Sequence, residues 1–289
     1  MSATLDTSEN IDVEQLELPS RGSNASKVHF RLELPDPRYE EILSDDTRMT
    51  VRDVMVNHTD AGKVLDTRGG FDDILEPHHR LSVTGTEDDE ILVGRRVYDC
   101  ADLLEEIGRE VEYIPDFTWV YGTMSEEAQM KAVDIYSDRL GKLYELIEER
   151  GLSHVTVTPL AKGFKRSHFE RLEETFKRLG IDRYAMYVVQ KNSINRIVED
   201  TRVSITVLDP DEVLVIGRGS PSDVAKLPNR VNAVASLRNW KNACGLDSDG
   251  YSDPDLFRWR NRVKEALENG RRGTQARMTE YTNLNEVTA

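Results

Sequence analysis

Short apolar runs alternate with amphipathic stretches along most of the chain. Residues 213–216 (VLVI) are apolar, rich in β-branched side chains and too few for a helix, which predicts a buried strand. Gly217-Arg218-Gly219 turns the chain. Ser220-Pro221-Ser222-Asp223 then has the features of a helix start: a hydroxyl cap, proline at the first helical position and an acid at the third. A second β-rich run, 233–237, follows Pro228. Strand, glycine turn, helix and strand within residues 212–240 predict a βαβ unit and hence a parallel sheet. Ligands in such folds sit at the carboxyl ends of strands, where Gly217, Arg218, Gly219 and Arg238 fall.

The same alternation runs through the preceding hundred residues. Residues 113–121 (YIPDFTWVY) read as a strand that carries Asp116, and Thr123-x-x-Glu126 reads as a capping box. Apolar residues then keep helical spacing from Ala128 to Ile147, and Gly151 ends the helix. Residues 154–160 form the next strand, closed by the loop Ala161-Lys162-Gly163. A helix capped by Ser167-x-x-Glu170 turns Phe169, Leu172, Phe176 and Leu179 inward. Residues 184–190 form a strand ending at Gln190, residues 192–199 a helix, and 203–208 a strand or part of a longer connection. The N-terminal half is less regular. Residues 1–26 are polar and expected to be disordered, and 27–34 alternate as a strand. Short helices are expected at 39–43 and 51–58, a loop at 66–71, and strands at 80–83 and 91–98 that pair as a hairpin across an acidic turn. Residues 99–108 form a helix.

This order gives seven or eight strands joined by connections short enough to force parallel pairing. The expected fold is an α/β protein of the TIM-type (β/α)8 barrel class, incomplete or irregular at its N-terminal end, with an open doubly wound sheet as the alternative. One domain over residues 27–270 and a tail over 271–289 are expected. The dinucleotide fingerprint is missing its third glycine after Gly217-x-Gly219, so no nucleotide cofactor, and no other cofactor, is expected.

Composition adds a setting. The chain has 289 residues, 53 acids against 38 bases, and a net charge of −15. Such an acid excess suits hydration and screening in concentrated salt, which points to a halophilic archaeon or its virus; an ordinary acidic protein is the alternative. Cys100 and Cys244 stand in no metal-ligand spacing, so neither a disulfide nor a metal site is expected. No run reaches the length of a membrane span and the N-terminus is not signal-like, so a cytoplasmic protein without membrane contact is expected. The basic residues gather late: Arg258, Arg260, Arg262, Lys264, Arg271, Arg272 and Arg277 stand among few acids. That segment suits an anionic partner such as nucleic acid, or is the solvated face of an amphipathic helix.

The strand ends carry the candidate chemistry. Asp116 suits recognition of a base edge or acid–base work, or else satisfies backbone donors. Lys162-Gly163 and Gln190-Lys191-Asn192 end the next two strands, which makes three successive strands ending in polar side chains; each is otherwise an ordinary loop residue. Gly217-Arg218-Gly219 offers an anion site at a helix start, or a tight turn that needs glycine for steric reasons. Asp66, before paired glycines in Asp66-Thr67-Arg68-Gly69-Gly70-Phe71, belongs to a catalytic loop or to an ordinary surface turn.

Several of these segments together are similar to the tRNA-guanine transglycosylase superfamily, including the related DNA 7-deazaguanine transglycosylases of phages and archaeal viruses. The likeness covers the C-terminal two-thirds. IPDFTWVYG matches the family strand whose acid recognises the base, at Asp116, and VTVTPLAKG matches a Val-Gln-Gly-like turn at Lys162-Gly163. RLGIDRYAMYVVQ follows the family's Leu-Gly-Ile/Phe-Asp turn and Tyr-Ala-Ile-Gly strand; VLVIGRGSP and NAVASLRNW keep the order of the last two strands. DTRGGF echoes the Asp-Ser-Gly-Gly-Phe loop, with Asp66 as the matching catalytic acid. The resemblance implies base exchange in tRNA or DNA, with Asp116 on the base and Gly217, Arg218 and Arg238 on phosphate. Two features depart from it: the nucleophilic aspartate falls at Ala235, and the zinc cysteines are missing. Three readings remain. One is a divergent enzyme using Asp116 or Asp66, and another is a non-catalytic nucleic-acid-binding partner of an active subunit. The third is an unrelated barrel enzyme on a small anionic substrate. Homo- or hetero-oligomers fit any of them.

Overall fold

The computed structural model describes residues 27–44, 50–247 and 250–286, with side chains of the last helix described through 269. The expectation of disorder over 1–26 lies outside these residues. Eight strands form one sheet: β1 (Lys27–Leu32), β2 (Asp53–Asn57), β3 (Arg80–Thr84), β4 (Val111–Ile114), β5 (Val155–Val157), β6 (Arg183–Tyr187), β7 (Glu212–Ile216) and β8 (Val231–Ser236). Their order is β5-β4-β3-β2-β1-β8-β7-β6, and every ladder is parallel. Between them run α1 (Pro37–Ser44), α2 (His58–Arg68), α3 (Asp89–Gly94), α4 (Val97–Ile107), α5 (Glu126–Glu149), α6 (Arg166–Arg178), α7 (Ile194–Leu208), α8 (Pro221–Val224) and α9 (Arg238–Cys244). A long α10 (Asp253–Glu286) ends the fold.

The sheet curls so that its outer strands, β5 and β6, approach each other. They meet at one bridge, Leu160 to Ala185, where Ala161 N–H donates to Ala185 O at 2.9 Å and Ala185 N–H to Pro159 O at 2.8 Å. Closure is therefore confined to the carboxyl end, and the fold is a TIM-like α/β barrel left incompletely closed.

Register and side-chain bonds fix which residues face inward. His29 pairs with Asp53, Met55 with Ser82, and Ser82 with Glu112. Side-chain bonds from Ser82 to His29 and Glu112, and from Arg31 to Asn57, run across this inner face. The alternate residues face the helices. Phe30 lies 6.0 Å from the Trp240 ring and 5.6 Å from the Trp259 ring, edge-on to both. The helix α10 adds Leu256, Trp259, Val263 and Leu267, all buried, at the three- and four-residue spacing of one helical stripe. Each such side chain contributes about 1.5–3 kcal/mol on burial. The core thus sits between sheet and helices, while much of the barrel interior is polar.

Several local expectations change. The segment expected as a helix at 51–58 is β2, because Val54 and Val56 face the helices while Asp53 and Asn57 face the polar interior. The strand expected at 91–98 is helix instead: Ile91 and Val93 are 42% and 68% exposed on α3, so no hairpin forms there. The stretch 203–208 continues α7. The cap of α5 is Ser125, whose hydroxyl accepts from Ala128 N–H at 3.2 Å, and not Thr123. The break expected at residue 270 falls inside α10. Cys100 and Cys244 are free and buried. Among the described residues, no helix is long and apolar enough to cross a membrane.

Candidate functional site

The strand β4 ends at Ile114, and Pro115 carries the chain on to Asp116, which keeps the inward phase of Glu112 and Ile114. From the neighbouring strand, the chain beyond β5 brings Lys162 to the same mouth. Lys162 Nζ stands 2.5 Å from Asp116 Oδ1, with side chains 12% and 4% exposed. Burial lifts the Asp116 carboxyl above the ordinary carboxylate range, with the Lys162 charge opposing it. The ammonium also lies 5.9 Å over the Tyr136 ring, and the Tyr136 hydroxyl accepts from Leu160 N–H at 2.6 Å.

The backbone around Asp116 is held from below. Gly85, just past β3, packs so closely that a Cβ would lie 2.6 Å from Asp116 N, which only glycine permits. Arg95 donates to Gly85 O at 2.6 Å and to Asp116 O at 3.4 Å, and its guanidinium is ion-paired with Glu87. Glu87 in turn accepts from Thr59 N–H at 3.0 Å. This buried anchor was hidden in the stretch read as a strand at 91–98. Its signal was an arginine after an acidic turn, which sequence alone does not separate from a surface charge.

Above the pair lies a cavity of about 370 Å³. Asp116, Lys162, Gly163 and Gln190 all line it, so four of the predicted residues from three successive strand ends converge. Trp119, Tyr121, Phe164 and Tyr187, each half-buried, supply aromatic walls. Tyr121 ties its own loop to the start of α3 and to the loop after β6: its hydroxyl lies 2.8 and 2.9 Å from the Asp89 carboxylate oxygens and accepts from Gln190 Nε2 at 3.3 Å. Burial and the Asp89 bond both push the phenol upward. On the far rim Asp200, buried on α7, is held by Lys191 Nζ at 2.7 Å and Arg196 Nε at 3.1 Å. All four carboxylates lining the cavity therefore face a cation or a hydroxyl. Of these lining residues the sequence reading did not single out Glu87, Asp89, Trp119, Tyr121, Phe164, Tyr187, Arg196 or Asp200, and it named Lys191 only within the strand end Gln190-Lys191-Asn192.

The remaining predicted residues lie elsewhere. Asp66 is exposed near the end of α2, and the expected loop is that helix's terminus: Gly69, in the left-handed region at φ 73°, donates its N–H to Leu65 O. Asp66 is not among the residues lining the cavity with Asp116. Gly217 (φ 111°) packs on Val189, and a Cβ there would run into that side chain. Its N–H goes to Ala235 O at 2.8 Å, and the Gly219 N–H goes to Asn239 Oδ1 at 3.1 Å. Gly219 O accepts from Trp259 Nε1 at 3.0 Å, and Arg218 donates to Lys191 O. The glycines thus make a tight packed turn, and α8, which follows, is only four residues long. Arg238 opens α9 at the carboxyl end of β8 and is exposed. Ala235 is fully buried on β8, in register with His29 and Ile216. On α10, Arg258 and Arg262 are exposed on the face away from the buried stripe and Arg260 is half-buried; Arg258 pairs with Asp255. Arg271, Arg272 and Arg277 lie outside the described side chains.

The arrangement can hold a planar polar ligand between aromatic walls over a buried carboxylate–ammonium pair. Among the described residues no group of three or more His, Cys, Asp or Glu side chains is placed to hold a metal ion. No protein-family model and no curated protein matches the chain.

Proposed function

We propose that the chain is a transglycosylase-like barrel of nucleic-acid base modification that recognises a guanine or 7-deazaguanine base without forming a covalent ribosyl intermediate itself. The observation that carries this reading is the buried Asp116–Lys162 pair under the aromatic-walled cavity at the carboxyl mouth. Guanine presents N–H donors to a carboxylate and a carbonyl to an ammonium on one edge, and its faces suit aromatic walls. The covalent step is set aside because Ala235 carries no carboxylate. Asp116, Glu87, Asp89 and Asp200 are each already engaged by a neighbouring cation or hydroxyl.

On this reading the exposed Arg258 and Arg262, with Arg260 beside them, contact the phosphates of tRNA or DNA, and a catalytic subunit acts on the presented base. The acid excess then suits the cytoplasm of a halophilic archaeon or the cell its virus infects. Incubating the chain with labelled guanine and either tRNA or DNA in concentrated potassium chloride tests the assignment. The expected result is retention of the base without its incorporation into nucleic acid. Incorporation by the chain alone would restore the covalent enzyme. Retention of small anionic metabolites in place of the base would favour the barrel enzyme on a small anionic substrate.

A further inference from the structure

The carboxyl end of the barrel is divided by charge. All eight strands are parallel, so every strand-to-helix connection opens at this one end, and the rim falls into two arcs, β1–β4 and β5–β8. From strand end through the first helical turn, the β1–β4 arc reads 33–40 (ELPDPRYE), 58–61 (HTDA), 85–92 (GTEDDEIL) and 115–129 (PDFTWVYGTMSEEAQ): eleven acids against one base, Arg38. The β5–β8 arc reads 158–169 (TPLAKGFKRSHF), 188–197 (VVQKNSINRI), 217–224 (GRGSPSDV) and 237–241 (LRNWK): eight lysines and arginines against one acid, Asp223. On a chain with 53 acids and 38 bases, the second arc runs against the composition.

Helix stability does not account for it. The positive end of a helix favours acids in its first turn, and α1, α2, α3 and α5 have them there. The helices α6, α7 and α9 have none and carry Arg166, Arg196 and Arg238 instead, where a cation is unfavourable. Internal pairing does not absorb the charge either. Lys162 faces Asp116 and Lys241 faces Asp247, but Lys191 and Arg196 share the single carboxylate of Asp200. Arg166 pairs with Glu170 on its own helix, at 66% exposure. Among the described residues, Lys165 and Arg238 form no ion pair.

An extended anion, with phosphates spaced along a strand, fits such an arc. Phe164 stands between Lys162 and Lys165, edge-on to His168 at 5.2 Å, and Tyr187 ends β6; both wall the cavity over Asp116 and Lys162. Cations interleaved with stacking rings make a platform for unpaired bases. Base pairing excludes a duplex, because the guanine edge that suits Asp116 and Lys162 is the edge a complementary base occupies. With the backbone on the β5–β8 arc and a base turned in toward Asp116, a complementary strand would lie over the β1–β4 acids. Four of these, Glu87-Asp88-Asp89-Glu90, stand beside the same cavity.

We propose that the carboxyl mouth takes its base from an unpaired stretch of nucleic acid, RNA or DNA, whose phosphates lie along the β5–β8 arc at Lys165 and Arg166, and that the acidic β1–β4 arc repels a second strand. This rests on the base-reading role proposed above for Asp116 and Lys162. Fluorescence anisotropy reads strand binding, with labelled single strands of RNA and of DNA of about 12 nucleotides and with the matching duplexes. The salt range is that in which far-UV circular dichroism shows the full chain folded, and calorimetric titration of guanine reads the base site separately. At least one single strand is expected to bind at least about tenfold more tightly than its duplex. K165A/R166A, which alters no residue lining the cavity, should leave guanine affinity unchanged. It should lower the slope of log affinity against log salt by about 1.4, or about 0.7 for each phosphate released; K165A alone, should the double variant not fold, should lower it by about 0.7. D88N/E90Q changes two exposed carboxylates, one of them a helix cap without a side-chain cap bond, and should raise duplex affinity more than single-strand affinity. Equal binding of duplex and single strand, an unchanged slope in a folded variant, or a duplex bound as weakly by D88N/E90Q as by wild type would overturn the proposal. Guanine binding without strand binding would also overturn it and leave the base reading intact. Strand binding that depends on Lys165, without guanine binding, would support the arc and remove the guanine reading. A chain that sediments as a dimer, is dispersed by K165A/R166A and binds no strand would assign the arc to the acidic rim of a second copy, which overturns it too.

Discussion

Replacing Lys162 by methionine removes the cation from Asp116 while keeping an unbranched stem against Tyr136. The two charges are 2.5 Å apart and their side chains are 12% and 4% exposed, so little water is available to replace the ammonium. The other partner of the Asp116 carboxylate, Thr118 N–H, is distant at 3.4 Å. Removing one member of such a pair costs about 3–5 kcal/mol, or roughly 6–20 °C in Tm for a domain of this size. The pH dependence has a definite sign. Burial raises the folded-state pKa of Asp116 above its unfolded value even with Lys162 present. Its contribution is therefore most favourable below the unfolded value of about 3.9 and is lost as pH rises through the folded value. Without Lys162 the folded value moves higher, and the loss continues to higher pH. Urea denaturation of both proteins at fixed salt, from about pH 4.5 to 8, should show a deficit in K162M that is small at the acid end and grows toward neutrality. A deficit below about 1 kcal/mol, the level of a solvent-exposed pair, or one equal at every pH, would refute the reasoning.

Three further outcomes follow from the geometry. G217A places a Cβ against Val189 at a φ of 111°, and should cost about 1–3 kcal/mol in chemical denaturation; a neutral result would remove the packing account of that turn. S125A removes the hydroxyl that accepts from Ala128 N–H and should cost about 1 kcal/mol, whereas T123A should lie within about 0.5 kcal/mol of wild type. R258A with R262A, both on the exposed face of α10, should leave stability within about 0.5 kcal/mol and weaken nucleic-acid retention, the salt slope falling by about one for each phosphate no longer neutralised; unchanged retention would detach this helix from the proposed function.

The parallel barrel was legible because its strands read as short apolar runs and its helices as amphipathic stripes, most clearly from α5 to β8. The N-terminal half was harder to read for a physical reason. Its inner face is polar, so Asp53 and Asn57 broke the pattern of a buried strand, and Ile91 and Val93 look buried in sequence yet face solvent on α3. At the carboxyl mouth, Asp116, Lys162, Gly163 and Gln190, which line one cavity, were legible as strand-end residues because each stands within or directly after an apolar run. Arg95 and Asp200 were not, because their placement depends on partners 8 to 21 residues away that no local pattern marks. Asp66 shows the converse. Its motif matched a known loop, but the paired glycines end a helix there.

The central claim is that Asp116 and Lys162 form the base-reading floor of the carboxyl mouth. Isothermal titration of guanine into the wild-type chain and into D116N, which keeps the side chain's shape while removing its charge, measures this most directly. The account predicts saturable binding by the wild type and a loss of at least about tenfold in D116N, the cost of removing a charge-assisted hydrogen bond. Equal affinity in the two proteins, or no binding by a folded wild type, would contradict it.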